Sequence, residues 1–199
     1  MLRDYQLAIC ERVKEAFEAH RSVMMQMPTG TGKTVVLVEL VKRYLDKSIE
    51  LRGISLESPQ GSRQLTLASN KNSLSSKLDT ISYQRCQVLI VAHRIELIEQ
   101  IGEHLRGYGI AYGVIAGGRK TKKAESVMVA SIQTLSSKLS SLSSLLSPSL
   151  IIIDEAHHAV AKTYRQLWDV WPEARFLGLT ATPYRLSGEG FTDLFDVLV

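Results

Sequence analysis

Four consecutive apolar residues, Leu150-Ile151-Ile152-Ile153, run directly into the acidic pair Asp154-Glu155. A half-buried strand alternates apolar with polar side chains, so an unbroken β-branched run points to a strand covered on both faces, as in parallel sheets sandwiched between helices. Similar runs recur at Val23-Met24-Met25-Gln26-Met27, Val88 to Ala92, Ile110 to Ile115, Val127 to Ala130 and Phe176 to Leu179. Helical patterns fall between them. Ile9, Val13 and Phe17 recur every four positions among Glu11, Lys14, Glu15 and Glu18, Thr34 to Leu45 is apolar on most faces, and Ile95 to Leu105 follows the second run. Strands alternating with helices define a doubly wound α/β domain with a mainly parallel sheet and helices on both faces. With 199 residues, 45% of them hydrophobic, the chain supplies one such core, so residues 1–199 are read as a single domain.

Two segments interrupt the rhythm. From about Lys47 to Gln87 the sequence is polar and serine-rich without a sustained period, which marks an insertion. Leu135 to Ser149 is also serine-rich, but Leu135, Leu139, Leu142 and Leu146 keep helical spacing, so a helix ending near Pro148 is expected.

The net charge of +4 leans towards an anionic partner without identifying one. Two cysteines, Cys10 and Cys86, have no paired spacing for zinc or a disulfide framework, which fits a reducing compartment. The N-terminus lacks the apolar stretch of a signal peptide, and no apolar run approaches the roughly 20 residues that cross a bilayer. A cytoplasmic protein without a membrane partner is expected.

Chemistry concentrates where strands end. In Met27-Pro28-Thr29-Gly30-Thr31-Gly32-Lys33-Thr34 a strand gives way to a glycine loop and then a helix. Gly30 and Gly32 let the backbone of Thr29 to Thr34 turn N–H groups towards phosphate oxygens, and the helix adds the positive end of its dipole. Lys33 is placed to reach the β- and γ-phosphates of a nucleotide, and the Thr34 hydroxyl to ligate magnesium. The strict phosphate-loop pattern opens with glycine where this chain has Met27. Asp154 and Glu155 complete the set at the carboxyl end of a buried strand, the edge at which ligands gather in open α/β sheets. Asp154 is the second magnesium candidate, and Glu155 the group that orients and polarises the attacking water. A helix N-terminus would also account for two acids here, but not for their coincidence with a phosphate loop. His157 and His158 lack the spacing of a metal site, and a hydrogen-bonding role beside the nucleotide is assigned to His157.

Taken together, these motifs resemble the superfamily 2 helicases and translocases of the DEAD/DEAH type, specifically their first RecA-like phosphate-loop NTPase domain, over nearly the whole chain. Asp154-Glu155-Ala156-His157 stands as that family's second motif and Met27 to Thr34 as its first, in which a residue other than glycine commonly opens the loop. Leu2-Arg3-Asp4-Tyr5-Gln6 is similar to the adenine-reading segment, with Gln6 as the base contact. Val91-Ala92-His93-Arg94 and Ala130-Ser131-Ile132-Gln133-Thr134-Leu135 resemble the motifs that grip a nucleic-acid backbone. They nominate Arg94, Gln133 and Thr134, although each is equally a polar strand end. The basic loop Gly117-Gly118-Arg119-Lys120-Thr121-Lys122-Lys123 lies near them if the strand order holds, and adds Gly117, Gly118 and Arg119. Gly178-Leu179-Thr180-Ala181-Thr182-Pro183 resembles the third motif, whose Thr180 and Thr182 would couple the γ-phosphate to domain movement.

The resemblance implies ATP and Mg2+ as cofactors and a nucleic-acid partner. Asp-Glu-Ala-His with Thr-Ala-Thr is closest to the branch of repair helicases and type III restriction subunits, which favours DNA over RNA. An RNA helicase of the DEAH group and a scaffold that binds nucleotide without hydrolysing it are the alternatives; intact Lys33, Thr34, Asp154 and Glu155 argue against the second. The family also carries a second RecA-like domain with an arginine-rich motif, not found in this chain. The full-length protein is expected to supply it, and the isolated 199 residues, taken as a monomer, to hydrolyse ATP weakly.

Overall fold

The computed structural model describes residues 2–50, 87–117, 125–158, 162–182 and 194–199. Seven strands form one sheet in which every pairing is parallel: β1 (Ser22–Gln26), β2 (Val88–Ala92), β3 (Tyr112–Ile115), β4 (Val127–Ser131), β5 (Leu150–Ile153), β6 (Arg175–Thr180) and the short β7 (Val197–Leu198). Their spatial order is β3-β4-β2-β5-β6-β1-β7. The helices are α1 (Asp4–Ala19), α2 (Lys33–Glu50), α3 (Ile95–Gly107), α4 (Ile132–Ser137), α5 (Leu139–Leu142) and α6 (Lys162–Val170), with a 3-10 turn at Ala156–His158.

The strand order decides which face each helix covers. After β1 and β2 the chain steps towards the β3 edge, and after β4 and β5 it steps back. With crossovers of one hand, the first two connections must lie on one face and the later ones on the other. Accordingly α1, α2 and α3 pack with Val23, Met25, Val88, Ile90, Ile152 and Leu177 in one core layer. On the opposite face α4, α5 and α6 pack with Met24, Leu89, Val91, Ile151, Ile153 and Phe176. Odd and even strand residues thus enter different cores, which is why these strands carry no polar alternation. Trp168 of α6 stacks on Phe176 with ring centroids 3.9 Å apart and meets Phe195 edge-on.

Three expectations are corrected. The stretch Leu135 to Ser149 is not one helix. Leu135, Leu139, Leu142 and Leu146 are all buried, so the spacing did mark an inward face, but the backbone breaks at Lys138 (φ −117°, ψ 14°) and helix ends at Leu142. The hydroxyls of Ser137, Ser141, Ser143 and Ser144 each donate to a carbonyl three residues back, which competes with the α-helical ladder. The strand expected from Ile110 starts at Tyr112. The insertion expected from Lys47 starts later, because α2 continues to Glu50; Ser48 Oγ sits 3.0 Å from the Gln87 side-chain amide across its two ends. The remainder of the insertion lies outside the described residues. Among the described residues no helix is long and apolar enough to cross a membrane.

Candidate functional site

β1, β6 and β5 deliver three loops to one stretch of the sheet's carboxyl edge. β1 continues through Met27, whose N–H donates to Thr180 O at the end of β6. The chain then turns at Gly30 (φ +77°) and Gly32 (φ +85°) into α2, whose first residue is Lys33. These are left-handed conformations that side chains resist. The Thr31 hydroxyl donates to Pro28 O at 2.6 Å, closing the turn. Lys33 Nζ reaches Glu155 Oε1 at 3.2 Å, with the two side chains only 12% and 24% exposed. The loop after β1 and the acidic pair after β5, 122 residues apart, therefore meet in one site.

Asp154 is held by its own N–H, which donates to Val91 O of β2 at 2.9 Å. Its carboxylate is buried and, among the described residues, takes a hydrogen bond from the Glu155 N–H at 3.0 Å. Burial, reinforced by the Glu155 charge, pushes its pKa up to about 6; the Glu155 N–H and the Lys33 ammonium pull the other way without cancelling it. Glu155 itself has φ +51°, the left-handed region that a non-glycine residue occupies at a cost. That bend brings its carboxylate to Lys33 on one oxygen and to His157 Nδ1 on the other, at 3.3 Å.

His157 Nδ1 also lies 3.2 Å from Thr180 Oγ1. The Thr180 hydroxyl donates its single proton to Thr182 O at 2.7 Å and accepts from the Thr182 N–H at 3.2 Å. Only an acceptor remains for the histidine, so Nδ1 carries the proton and shares it between Thr180 Oγ1 and Glu155 Oε2. A hydrogen-bonded line thus runs Lys33, Glu155, His157, Thr180, Thr182. Thr180 is fully buried and Thr182 exposed, so this line passes from the site to the surface.

Gln6 sits buried in the first turn of α1. Its Nε2 donates to Thr31 O at 3.0 Å, and its Oε1 accepts from Arg3 N–H at 3.0 Å. One donor and one acceptor of the amide are thereby engaged within the protein. Thr29 and Gly30 are exposed and Thr34 half-buried.

The residues expected to meet nucleic acid lie on the neighbouring stretch of the same edge, where β2, β4 and β3 end. Gln133 Nε2 donates to His93 O at 3.1 Å and its Oε1 accepts from the Ser131 hydroxyl, which joins the ends of β2 and β4. Arg94 is exposed as the N-cap of α3. Gly117 approaches Thr134, since a Cβ there would lie 3.8 Å from its Oγ1. Gly118 and Arg119 lie outside the described residues.

Two further residues belong to this region. Tyr5 donates its hydroxyl to Thr31 O at 2.9 Å. Tyr164 on α6 buries a hydroxyl with no partner among the described residues, and burial, with the nearby Asp154 charge, pushes its pKa up to about 12. In the sequence Tyr5 is marked only as part of Leu2-Arg3-Asp4-Tyr5-Gln6, and Tyr164 carries no signal.

A divalent cation fits the donor chemistry. A buried carboxylate whose charge is disfavoured by desolvation, with a half-buried Thr34 hydroxyl at the start of α2, is an all-oxygen set. Mg2+ binds in this manner through one or two protein oxygens, with phosphates and water completing its shell.

A parallel sheet, a phosphate loop and an acidic pair joined through a lysine define a RecA-like ATP-binding domain of the superfamily 2 helicase type. The family model described as "Type III restriction enzyme, res subunit" matches residues 1–185. The chain belongs to that family. It is 29% identical over 176 residues to a 51.5 kDa protein of Lactococcus phage (isolate 7-9), covering 88% of this chain and 27% of that protein. It is 28% identical over 200 residues to the DNA 3'-5' translocase XPB2 of Sulfurisphaera tokodaii, covering 100% of this chain and 34% of the relative. Among solved structures it resembles the UvsW helicase from bacteriophage T4 with a TM-score of 0.64 at 16% identity, over 100% of this chain and 60% of that one. The chain thus spans about a quarter to a third of the length of these curated relatives.

Proposed function

We propose that this chain is the first motor domain of an ATP-dependent DNA helicase or translocase, which binds Mg2+ and ATP on the β5-β6-β1 stretch of the sheet edge and a nucleic-acid backbone on the adjoining β3-β4-β2 stretch. The observation that carries this reading is the hydrogen-bonded line from Lys33 through Glu155 and His157 to Thr180 and Thr182. It links a phosphate-binding lysine to the end of a neighbouring strand and out to the surface, as a motor domain requires.

The N–H groups of Thr29 to Thr34 receive the phosphates, and the Lys33 ammonium exchanges its Glu155 partner for phosphate oxygens. Glu155 is then free to accept a proton from a water whose oxygen attacks the γ-phosphorus, as the bond to the bridging oxygen breaks and ADP leaves. Thr34 and Asp154 would hold Mg2+, which supplies charge neutralisation on the phosphates when bound. His157, losing or keeping its carboxylate partner as Glu155 moves, alters its bond to Thr180, and the loop carrying Thr182 registers the change. Arg94, Gln133, Thr134 and the loop from Gly117 through Gly118 and Arg119 contact phosphates of the strand, which grips without reading sequence. Preference for DNA follows from the family and from the relative named a DNA translocase. The second RecA-like domain belongs to the remainder of a longer protein.

The test is an ATPase assay of the full-length protein with single-stranded DNA, duplex DNA and RNA, beside its Glu155→Gln variant. DNA is expected to raise turnover at least tenfold and RNA far less. The variant should keep ATP binding and lose on the order of 10²–10⁴ in turnover. Stimulation by RNA alone would replace the DNA assignment, and unchanged turnover in the variant would remove Glu155 from the mechanism.

A further inference from the structure

The Thr31 carbonyl accepts two side-chain hydrogen bonds from the first turn of α1, from the Tyr5 hydroxyl at 2.9 Å and from Gln6 Nε2 at 3.0 Å. Both cross a sequence gap of about 25 residues to reach the same oxygen. Inside the loop the Thr31 N–H and hydroxyl are both turned to Pro28 O. The residue is therefore fixed at every polar atom, with its carbonyl facing α1.

A trans peptide sets its C=O and the following N–H on opposite sides of the bond, and no described peptide is cis. Fixing Thr31 O towards α1 turns the Gly32 N–H away from it. Gly32 has φ +85°, and a Cβ there would stand 2.6 Å from Gln6 Nε2, so only glycine fits where the loop lies against α1. Glycine loops ordinarily sample both orientations of such a peptide, since glycine tolerates either sign of φ. Tyr5 is 45% exposed. A tyrosine half in water and joined to a loop carbonyl contributes little to the core.

We propose that Tyr5 is a positioning residue for the phosphate loop, locking the Thr31–Gly32 peptide so that the Gly32 N–H is presented to bound phosphate before nucleotide arrives. The inference rests on the ATP-site reading above and adds Tyr5 to it. Its action is on the polyphosphate and not on the base, which makes it separable from an adenine contact. Preorganising a donor in this way raises affinity by removing the cost of ordering the loop on binding.

The experiment measures Mg2+-dependent binding of ATP and of inorganic tripolyphosphate by calorimetry, using the full-length protein and its Tyr5→Phe variant. Phenylalanine keeps the ring and deletes only the donor. Both ligands are expected to bind about fivefold more weakly, equivalent to about 1 kcal/mol, the net worth of one hydrogen bond, with the thermal midpoint lowered by no more than roughly 2–4 °C. Weaker ATP with unaltered tripolyphosphate would place Tyr5 on the base and overturn the proposal, as would unaltered binding of both. Lys33→Ala, run alongside, should weaken both ligands. If it weakens neither, the loop is not a phosphate cradle, and the ATP-site reading falls together with the role of Tyr5.

Discussion

Asp154 is asked to stay charged in a place that disfavours charge. Its folded pKa of about 6 stands above the ordinary aspartate value of 3.8, so the folded state binds a proton more readily than the unfolded chain. Below about pH 4 both states are protonated and the residue costs nothing. As pH rises through 6 the stability is lost, and above that the full difference applies, about 3 kcal/mol at 1.36 kcal/mol per unit. Asp154→Asn should therefore stabilise the protein measured without nucleotide or Mg2+. For a domain of this size, at roughly 2–4 °C per kcal/mol, the melting midpoint is expected to rise by about 6–12 °C at pH 8 and by about half that at pH 5. An equal gain at both values would contradict the burial argument. The same change should abolish Mg2+-dependent ATP binding, so stability and function move in opposite directions at one side chain. The placement of this residue at the end of a buried strand was legible because it closes a run of isoleucines. Tyr5 was not, since its meaning lies in a carbonyl 26 residues away.

At the level of elements, the 3-10 turn after β5 is pressed against β6 at Gly178. A Cβ there would lie 2.6 Å from Phe195 Cζ and 2.9 Å from Ala156 Cβ. Ala156 adjoins both Glu155 and His157, so separating these elements would stretch the His157–Thr180 contact. Gly178→Ala is expected to destabilise by about 1–3 kcal/mol, the range for an overpacked site, and to lower kcat more than it raises the KM for ATP. Thermal melting and steady-state kinetics of the full-length protein check both; a loss confined to KM would detach this packing from coupling. Strands were the elements most readable in advance, because burial on two faces leaves them uniformly apolar. β7 pairs only at Val23 and Met24, too short for any period. α6 was not foreseen: its inward residues Tyr164 and Leu167, with Trp171 directly after it, are set among Lys162, Arg165, Gln166 and Asp169, and two of the three carry polar atoms that dilute the apolar stripe. The division of Leu135 to Ser149 escaped notice because leucine spacing reports which side is buried, whereas serine hydroxyls decide whether the backbone stays helical.

Across the whole molecule, strand order sorts the work. The proposed nucleotide groups end β5, β6 and β1, the nucleic-acid candidates end β3, β4 and β2, and the border falls between β2 and β5, where Asp154 N–H is bonded to Val91 O. A shift of the acidic pair would be felt by the strand that leads to His93 and Arg94. The proposed nucleotide half has Lys33, Glu155 as its proposed general base and Thr34 and Asp154 as candidate magnesium ligands, and none of the bonds described above brings an arginine guanidinium into it. Developing charge on the γ-phosphate would then be met from one side only. In phosphoryl-transfer enzymes an arginine from a partner element contributes on the order of 10³–10⁵ in rate, and the relatives extend far beyond the matched region. The isolated 199-residue chain is therefore expected to bind Mg2+-dependent ATP but to hydrolyse it at least roughly 10³-fold more slowly than the full-length protein, with no acceleration by DNA. Single-turnover hydrolysis with enzyme in excess measures the chemical step directly, free of product release. An isolated chain that cleaved ATP within tenfold of the full-length rate, and responded to DNA, would show that this sheet edge holds every catalytic group and that no second domain completes it.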